Sequence, residues 1–313
     1  MHERMHARAS NHSGGRVERT QSAADFSHVP DEPPLMLRVT VLGSGSRGNA
    51  ILVDGTEGTL LVDAGFSART IMKRMAVLGR RPDQVSALVL THEHTDHASG
   101  AAAACARWGW PLHASSGTLD ALRDMASGCP PNASSLSTTS STDVHGFVVS
   151  AVPVPHDARE CAALVLTDRQ SGLRVGIAMD LGHVPDSLPE AFERLDLLVV
   201  ESNHDERLLA DGPYPASLKR RIGGQLGHLS NGAAAAFAAI CAHRGLRGVI
   251  LAHLSETNNT PEHALTRTRE AMRRSGWRGD SLWAAHQTAA CGPIAPQGRV
   301  TASEPVQLPL ALF

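Results

Sequence analysis

Residues 91–97 read Thr-His-Glu-His-Thr-Asp-His, and their first residue closes SALVLT, an apolar run of buried-strand character that stops at His92. His92 and His94 stand two apart, so an extended or looping backbone projects both to one side. Asp96 and His97 then turn toward a second centre. The same punctuation recurs along the chain: FVVSAVPV ends before His156, LRVGIAM before Asp180, LDLLVV before Glu201 and GVILA before His253. Side chains at strand ends can converge on one rim while the rigid strands fix their geometry. Imidazole and carboxylate ligands together suit zinc, with manganese or iron also compatible by ligand hardness.

The elements between these ends are short. LRVTVLG, AILVDG and TLLVDAG are joined by glycine-containing turns and suggest hairpins. A helix is expected from Ser67 as N-cap, with Ile71, Met75 and Leu78 on one face and Gly79 past its end. Ser230 caps another, carrying Phe237, Ile240 and Cys241, and Thr260-Pro261 opens a third that Gly276 closes. Strands outside a strict βαβ rhythm, with helices between them, fit a sandwich of sheets covered by helices.

Residues 1–35 are polar, with too little apolar surface to offset ordering entropy, and read as a disordered leader. The folded body is expected over 36–293 and a flexible tail over 294–313. A net charge of −2 gives no bulk field toward nucleic acid, so any such contact must come from a local patch. The 5 cysteines are odd in number and scattered without a C-x-x-C pair. That argues against a disulfide framework and a thiolate zinc site, and it fits a reducing cytoplasm. No apolar run approaches the roughly 18 residues of a membrane span.

The H-x-H-x-D-H run after a hydrophobic strand resembles the signature of the metallo-β-lactamase superfamily. The rest of that pattern stands in order as Asp63 in LLVDAG, His156 in VPHDA, Asp180 in AMDLG and His253 in LAHLS, so the resemblance covers Leu37 to Gln287. It implies an αββα sandwich, two mixed β-sheets packed face to face with helices outside. It also implies two divalent metal ions, Zn2+ foremost and Mn2+ next. One would be held by His92, His94 and His156, the other by Asp96, His97 and His253, with Asp180 bridging. Asp63 would orient the ligand loop. For the last ligand His228 competes with His253, which is preferred because GVILA is the better buried strand.

The superfamily hydrolyses lactams, thioesters and phosphodiesters, so fold alone does not choose. Glu201 after its strand and His228 opening an alanine-rich helix resemble the ribonuclease Z group. ESNHD, GPYPASLKRR and GHLSN, with GSGSRGN and LAHLSETNN, resemble the WalJ/YycJ type more closely. That type is regarded as a nuclease with 5′-exonuclease activity on DNA. The intervals from His156 to Asp180 and from Asp180 to His253 are too short for the tRNA-gripping arm or the β-CASP domain of other relatives. Substrate is therefore expected to lie across the sandwich rim.

The resemblance implies in-line attack by water activated between the ions. His228, oriented by Glu201, would protonate the leaving oxygen. Glu201, His228 and Asp96 are the catalytic candidates. Lys219, Arg220, Arg221, Asn203 and His204 are the candidate substrate contacts. GSGSRGN lacks the Walker spacing and lysine, so it reads as a hairpin turn. An RNA nuclease and a small cyclic phosphodiester hydrolase are the alternatives to a DNA exonuclease. The tail ends in QLPLALF, where Gln307, Leu308, Leu310, Leu312 and Phe313 resemble the peptide by which bacterial replication proteins dock on the sliding clamp.

Overall fold

A computed structural model describes residues 37–278 and 281–296. The leader expected over 1–35 and the clamp-type peptide at 307–313 lie outside these residues. Among the described residues the strands form two sheets of seven. The first runs, in spatial order, β14 (Cys291–Ile294), β1 (Arg38–Gly43), β2 (Ala50–Asp54), β3 (Thr59–Val62), β4 (Ala87–Val89), β5 (Leu112–Ser115) and β6 (Ala133–Leu136). The second runs β13 (Ser281–Ala284), β12 (Gly248–Ala252), β11 (Leu197–Glu201), β10 (Arg174–Ala178), β9 (Ala162–Asp168), β8 (Phe147–Pro153) and β7 (Thr142–Val144). The last strand reaches Ile294, so the boundary expected after residue 293 falls inside an element paired to β1.

The layers follow from the side-chain alternation of the strands. Val39, Val41, Ile51, Val53, Leu60 and Val62 of the first sheet face Val149, Leu164, Leu166, Val175, Ile177 and Val199 of the second in one apolar core. The opposite faces are covered separately. Ile71 and Met75 of helix Ala68–Val77 pack on the outside of the first sheet with Leu42, Leu52 and Leu88. Phe237 of helix Asn231–Ile240 and Met272 of helix Pro261–Arg274 pack on the outside of the second. The architecture is thus the helix-covered, two-sheet sandwich.

The three expected helices start on their predicted caps. Ser67 Oγ accepts the N–H of Thr70, Ser230 Oγ that of Ala233, and Thr260 Oγ1 that of His263. Each bond satisfies one of the orphan donors of a first turn.

Strand direction decides where function can sit. Strand β3 is parallel to β4, and β10, β11 and β12 are mutually parallel, so each set presents its C-terminal ends at one edge. Strand β8 is antiparallel to β9, itself antiparallel to β10, so β8 points the same way as β10. Asp63, His92, His156, Asp180, Glu201 and His253 all lie at or just past those C-terminal ends.

Candidate active site

The chain turns sharply as it leaves three of these strands. Asp63, Asp180 and His253 carry φ angles of 61°, 54° and 53°, the left-handed region that non-glycine residues avoid. Such backbone costs of order 1–3 kcal/mol per residue and persists where surrounding structure over-determines it. Here Asp63 is held by Thr91 and His97, while Asp180 and His253 face one another at 3.5 Å.

The run after β4 leaves the strand at Thr91 and enters a one-turn helix, Thr95–Ala98, with His94 at its N-cap. His92, His94, His156 and Asp180 point one donor atom each into a common volume, all within 4.8 Å of one another. His156 Nε2 lies 3.2 Å from His94 Nδ1, and Asp180 Oδ2 lies 3.3 Å from His92 Nε2. The far nitrogens are fixed from behind. His156 Nδ1 is 3.0 Å from the Gly227 carbonyl, and His94 Nε2 is 3.2 Å from the Asp157 carbonyl. His94 thus offers Nδ1 where its companions offer Nε2.

A second group, Asp96, His97, Asp180 and His253, shares Asp180 with the first. His253 Nε2 is 3.1 Å from Asp96 Oδ2 and 3.5 Å from Asp180 Oδ1, and His97 Nε2 is 3.1 Å from Asp180 Oδ2. It is therefore His253, not His228, that meets Asp96. Asp63 is fully buried, accepts both the N–H and the hydroxyl of Thr91, and holds His97 Nδ1 at 2.7 Å. One carboxylate so anchors both the start of the ligand run and the ring at its end. Gly65 is required beside it, because a Cβ there would lie 1.8 Å from the Asp96 carbonyl oxygen.

Burial and charge set the protonation of the group. Burial, helped by the neighbouring His97, pushes His92 down to about 4. Burial likewise lowers His156. For Asp180, burial opposes ionisation, yet the imidazoles of His253 and His97 hold its carboxyl well below the usual range. Asp96 is similarly brought to about 2, burial being outweighed by its hydrogen bond to His253. Conversely, burial is overcome at His97 by Asp180 and Asp63, which raise its imidazole well above the ordinary value.

His228 and Glu201 form a separate pair next to Asp180. His228 Nδ1 is 2.6 Å from Glu201 Oε1 and 3.6 Å from Asp180 Oδ1. Glu201 is fully buried, and its Oε2 accepts the backbone N–H of Leu181 and of Leu229. Burial disfavours the imidazolium of His228, but the carboxylate of Glu201 outweighs it and raises the ring well above its ordinary value. With Glu201 on Nδ1, the other proton of the imidazolium sits on Nε2. Asp180, Glu201, His228 and His253 also converge as a group of donors, but Glu201 already receives the N–H of Leu181 and of Leu229 on Oε2 and faces His228 and His253 with Oε1.

The expected substrate contacts sit in different places. Asn203 is buried, and its amide donates to the His253 carbonyl at 3.0 Å and lies 3.1 Å from His253 Nδ1, so it supports that histidine from within. His204 is buried beside the pair, its Nδ1 without a hydrogen-bond partner. Lys219, Arg220 and Arg221 lie on helix Ala216–Ile222, where Lys219 Nζ donates to the Ala210 carbonyl and Arg221 Nε to Asp157 Oδ2 at 2.7 Å. Asp157 brings Arg221 to the rim, since its Oδ1 is 3.4 Å from His156 Nε2.

Three supporting residues escaped the sequence reading. Asn49 Nδ2 is 3.0 Å from His97 Nε2, Ser44 Oγ accepts the His253 N–H at 2.8 Å, and Asp157 touches His94 and His156. Ser44 and Asn49 belong to GSGSRGN, which does form the turn between β1 and β2 but also reaches the site. Asn49 is fully buried, which nothing in that string signals.

The donor set fits divalent cations. Nitrogen and carboxylate oxygen are the ligands such ions take. The buried His92 Nε2 and Asp180 Oδ1 have no hydrogen-bond partner, a cost of about 1–3 kcal/mol each that a cation offsets. Carboxylates crowded to low values beside raised imidazoles express the same demand for positive charge.

Comparison with known proteins agrees with this geometry. A family model described as the metallo-beta-lactamase superfamily matches residues 43–187. The chain is 30% identical over 253 residues to exodeoxyribonuclease YycJ of Bacillus anthracis, covering 80% of this chain and 95% of that one. It is 30% identical over 238 residues to exodeoxyribonuclease WalJ of Streptococcus pneumoniae, covering 72% and 85%. Among solved structures, the metallo-beta-lactamase fold protein YhfI of Bacillus subtilis superposes with a TM-score of 0.59 at 18% identity, over 81% of this chain and 98% of that one.

Proposed function

Since the chain belongs to the metallo-β-lactamase superfamily of hydrolases, with relatives of the YycJ and WalJ kind over most of its length, we propose that it is a metal-dependent phosphodiesterase acting on DNA as a 5′ to 3′ exonuclease. The observation that carries the phosphodiester reading is the Glu201–His228 contact of 2.6 Å beside Asp180. Hydrolysis of a phosphodiester expels a poor leaving group, an alkoxide, which needs a proton as the bond breaks. The Glu201 carboxylate favours the charged form of His228 and orients the ring through Nδ1, leaving the proton on Nε2 to be given.

His92, His94, His156, Asp96, His97 and His253, with Asp180 between the two sets, would hold two divalent ions, zinc or manganese. When bound, such ions generate a nucleophile from water at neutral pH and neutralise charge on phosphoryl oxygens. The chain's own residues do the rest. Asp63 keeps His97 in the tautomer that presents Nε2 inward, and Asn203, donating to the His253 carbonyl, fixes the backbone of that histidine. Arg221 at the rim offers a guanidinium to a flanking phosphate, and Arg220, exposed on the same helix, is the second cation there.

A time course on linear duplex DNA labelled at its 5′ end tests the reading, with zinc or manganese supplied and a chelator control. Chelator-sensitive release of labelled mononucleotide is expected. DNA left intact under every metal would remove DNA as the substrate.

The C-terminal QLPLALF supports a second proposal, docking on the bacterial sliding clamp through Gln307, Leu308, Leu310, Leu312 and Phe313. Deleting 307–313 should abolish capture by immobilised clamp while leaving hydrolysis intact. Capture that survives the deletion refutes it.

A further inference from the structure

A cleft of about 340 Å³ opens beside His228. One side is helix Asn231–Ile240, contributing Ala233, Ala236, Phe237 and Ile240. The other is the loop that follows Asp180, contributing His183 and Val184, and His204, His228 and Ser230 are among the remaining lining residues. This volume lies in the range of small-ligand sites, about 300–1,000 Å³. Nothing in the reaction described so far uses it.

Its chemistry excludes some occupants and suits one. No lysine or arginine lines it, so it is not a seat for a phosphate, and of its imidazoles only His228 belongs to a group of convergent metal-ligating atoms among the described residues, the one it shares with Asp180, Glu201 and His253. The lining is aliphatic and aromatic, interrupted by imidazoles. Two further observations mark it as a site for a ligand rather than a gap in packing. Ile240, on its border, is 62% exposed, an apolar side chain the fold leaves in water. His204 is 4% exposed, yet its Nδ1 has no hydrogen-bond partner, a polar group left unsatisfied beside the cleft. A flat, largely apolar ring with polar edges matches that combination.

Continuity with His228 says which ring. The group that receives the His228 proton must stand against that imidazole. In hydrolysis of the bond between phosphorus and O3′, water adds its oxygen to phosphorus while the P–O3′ bond breaks. His228 gives its proton to O3′, which leaves as the 3′-hydroxyl of the released nucleotide. The phosphate stays on the 5′ end of the shortened strand, and the proton lost by water passes to solvent. The group on the His228 side is therefore a nucleoside.

We infer that this cleft receives the base of the 5′-terminal nucleotide, the one released in each turnover. The inference rests on the nuclease reading and adds to it a leaving-nucleoside subsite built from His183, Val184, Ala236 and Ile240 over the buried Phe237, with the exposed imidazole of His183 as the ring a base can stack on. It also explains removal of one nucleotide at a time, because a base at a free end enters a side cleft without unpairing its neighbours on both sides.

The test compares two linear duplexes that differ only in the 5′-terminal nucleotide, one normal and one abasic, cut by the metal-loaded full chain. Base–aromatic contacts are worth about ten- to a hundredfold, so the wild type should release the abasic nucleotide slower by about that factor. Ala236→Trp and Val184→Trp fill the cleft from its two sides, at positions that are exposed and half-buried, and melting curves verify folding. Both should slow release of the normal nucleotide to about the abasic rate and barely change the abasic rate. Equal wild-type rates on the two ends overturn the subsite, as do folded variants that cut both ends like the wild type. The wild-type comparison decides even if neither variant folds. No cleavage of either duplex by the wild type overturns the nuclease reading itself, and the subsite with it.

Discussion

The hydroxyl of Ser44 accepts the backbone N–H of His253 at 2.8 Å, tying the first hairpin turn of the described fold to the last histidine of the site. The same hydroxyl donates to Asn49 Oδ1 at 2.7 Å, and Asn49 Nδ2 reaches His97 Nε2. Both histidines belong to the group that includes Asp96. Ser44→Ala leaves a buried N–H unpaired at a strained residue, at about 1–3 kcal/mol. Calorimetric titration with zinc should show the Asp96–His97–His253 set weakened and the other set nearly unchanged. Equal loss at both sets would contradict this coupling.

Asp63 makes a prediction about affinity rather than chemistry. It touches no inward-facing donor atom, but it fixes Thr91 and His97 together. Removing such support typically costs about 10–100-fold in metal affinity. Asp63→Asn should lower metal content in that range after dialysis against a chelator. Full metal retention would reduce Asp63 to a structural anchor.

The Glu201–His228 pair predicts the opposite pattern. His228→Ala and Glu201→Gln should retain metal, while the rate constant for DNA hydrolysis falls by about 10²–10⁴-fold. A substrate whose leaving group is a good phenolate needs no proton and should be cut by both variants at close to the wild-type rate. If that substrate slows as much as DNA does, His228 is not the proton donor.

Far from the site, Asp54 predicts a pH dependence of stability. It is 1% exposed, receives two hydrogen bonds from Arg80 at 2.8 and 2.6 Å, and accepts the Thr59 hydroxyl. Burial opposes its ionisation, but Arg80 outweighs it and lowers the carboxyl below its ordinary value. A depressed carboxyl contributes stability fully above the unfolded value of about 4 and loses it as pH falls through the folded one. Asp54→Asn removes the anion that faces the Arg80 guanidinium, which keeps its bonds to Gln84 and Thr59, and should cost about 2 kcal/mol at pH 7. In urea melts the gap between variant and wild type should narrow below about pH 4. A gap that is constant from pH 7 to pH 3 would rule out the ion pair as its cause.

The strand ends and the ligand run were legible because each combines a local pattern with a chemical one. LVLTHEHTDH reads as a strand followed by donors without any knowledge of the fold. Helix caps at Ser67, Ser230 and Thr260 were legible for a similar reason, as a single oxygen before an apolar stripe. Strands such as Leu112–Ser115 and Ala133–Leu136 were not, because LHAS and ASSL lack β-branched runs and are held by their neighbours rather than by propensity. Asn49, Ser44 and Asp157 stayed hidden for another reason. Each acts through one hydrogen bond or ion contact to a residue distant in the chain, and such a contact leaves no periodicity. Asn203 was placed near the site by its motif, but only the structure turns its amide toward His253.

The division of the strands between the sheets has a wider consequence. Apart from its last edge strand, the first sheet is made by residues up to Leu136, and it carries Asp63 and the whole run from His92 to His97. The second sheet begins at Thr142 and carries His156, Asp180, Glu201 and His253. Neither half holds a complete set of donors, and the later half lends the earlier one its edge strand β14. Cations seated among these residues would therefore rivet two separately encoded halves across their seam. A polypeptide nicked between Leu136 and Thr142 would behave as a two-piece reporter, silent until its pieces interlock.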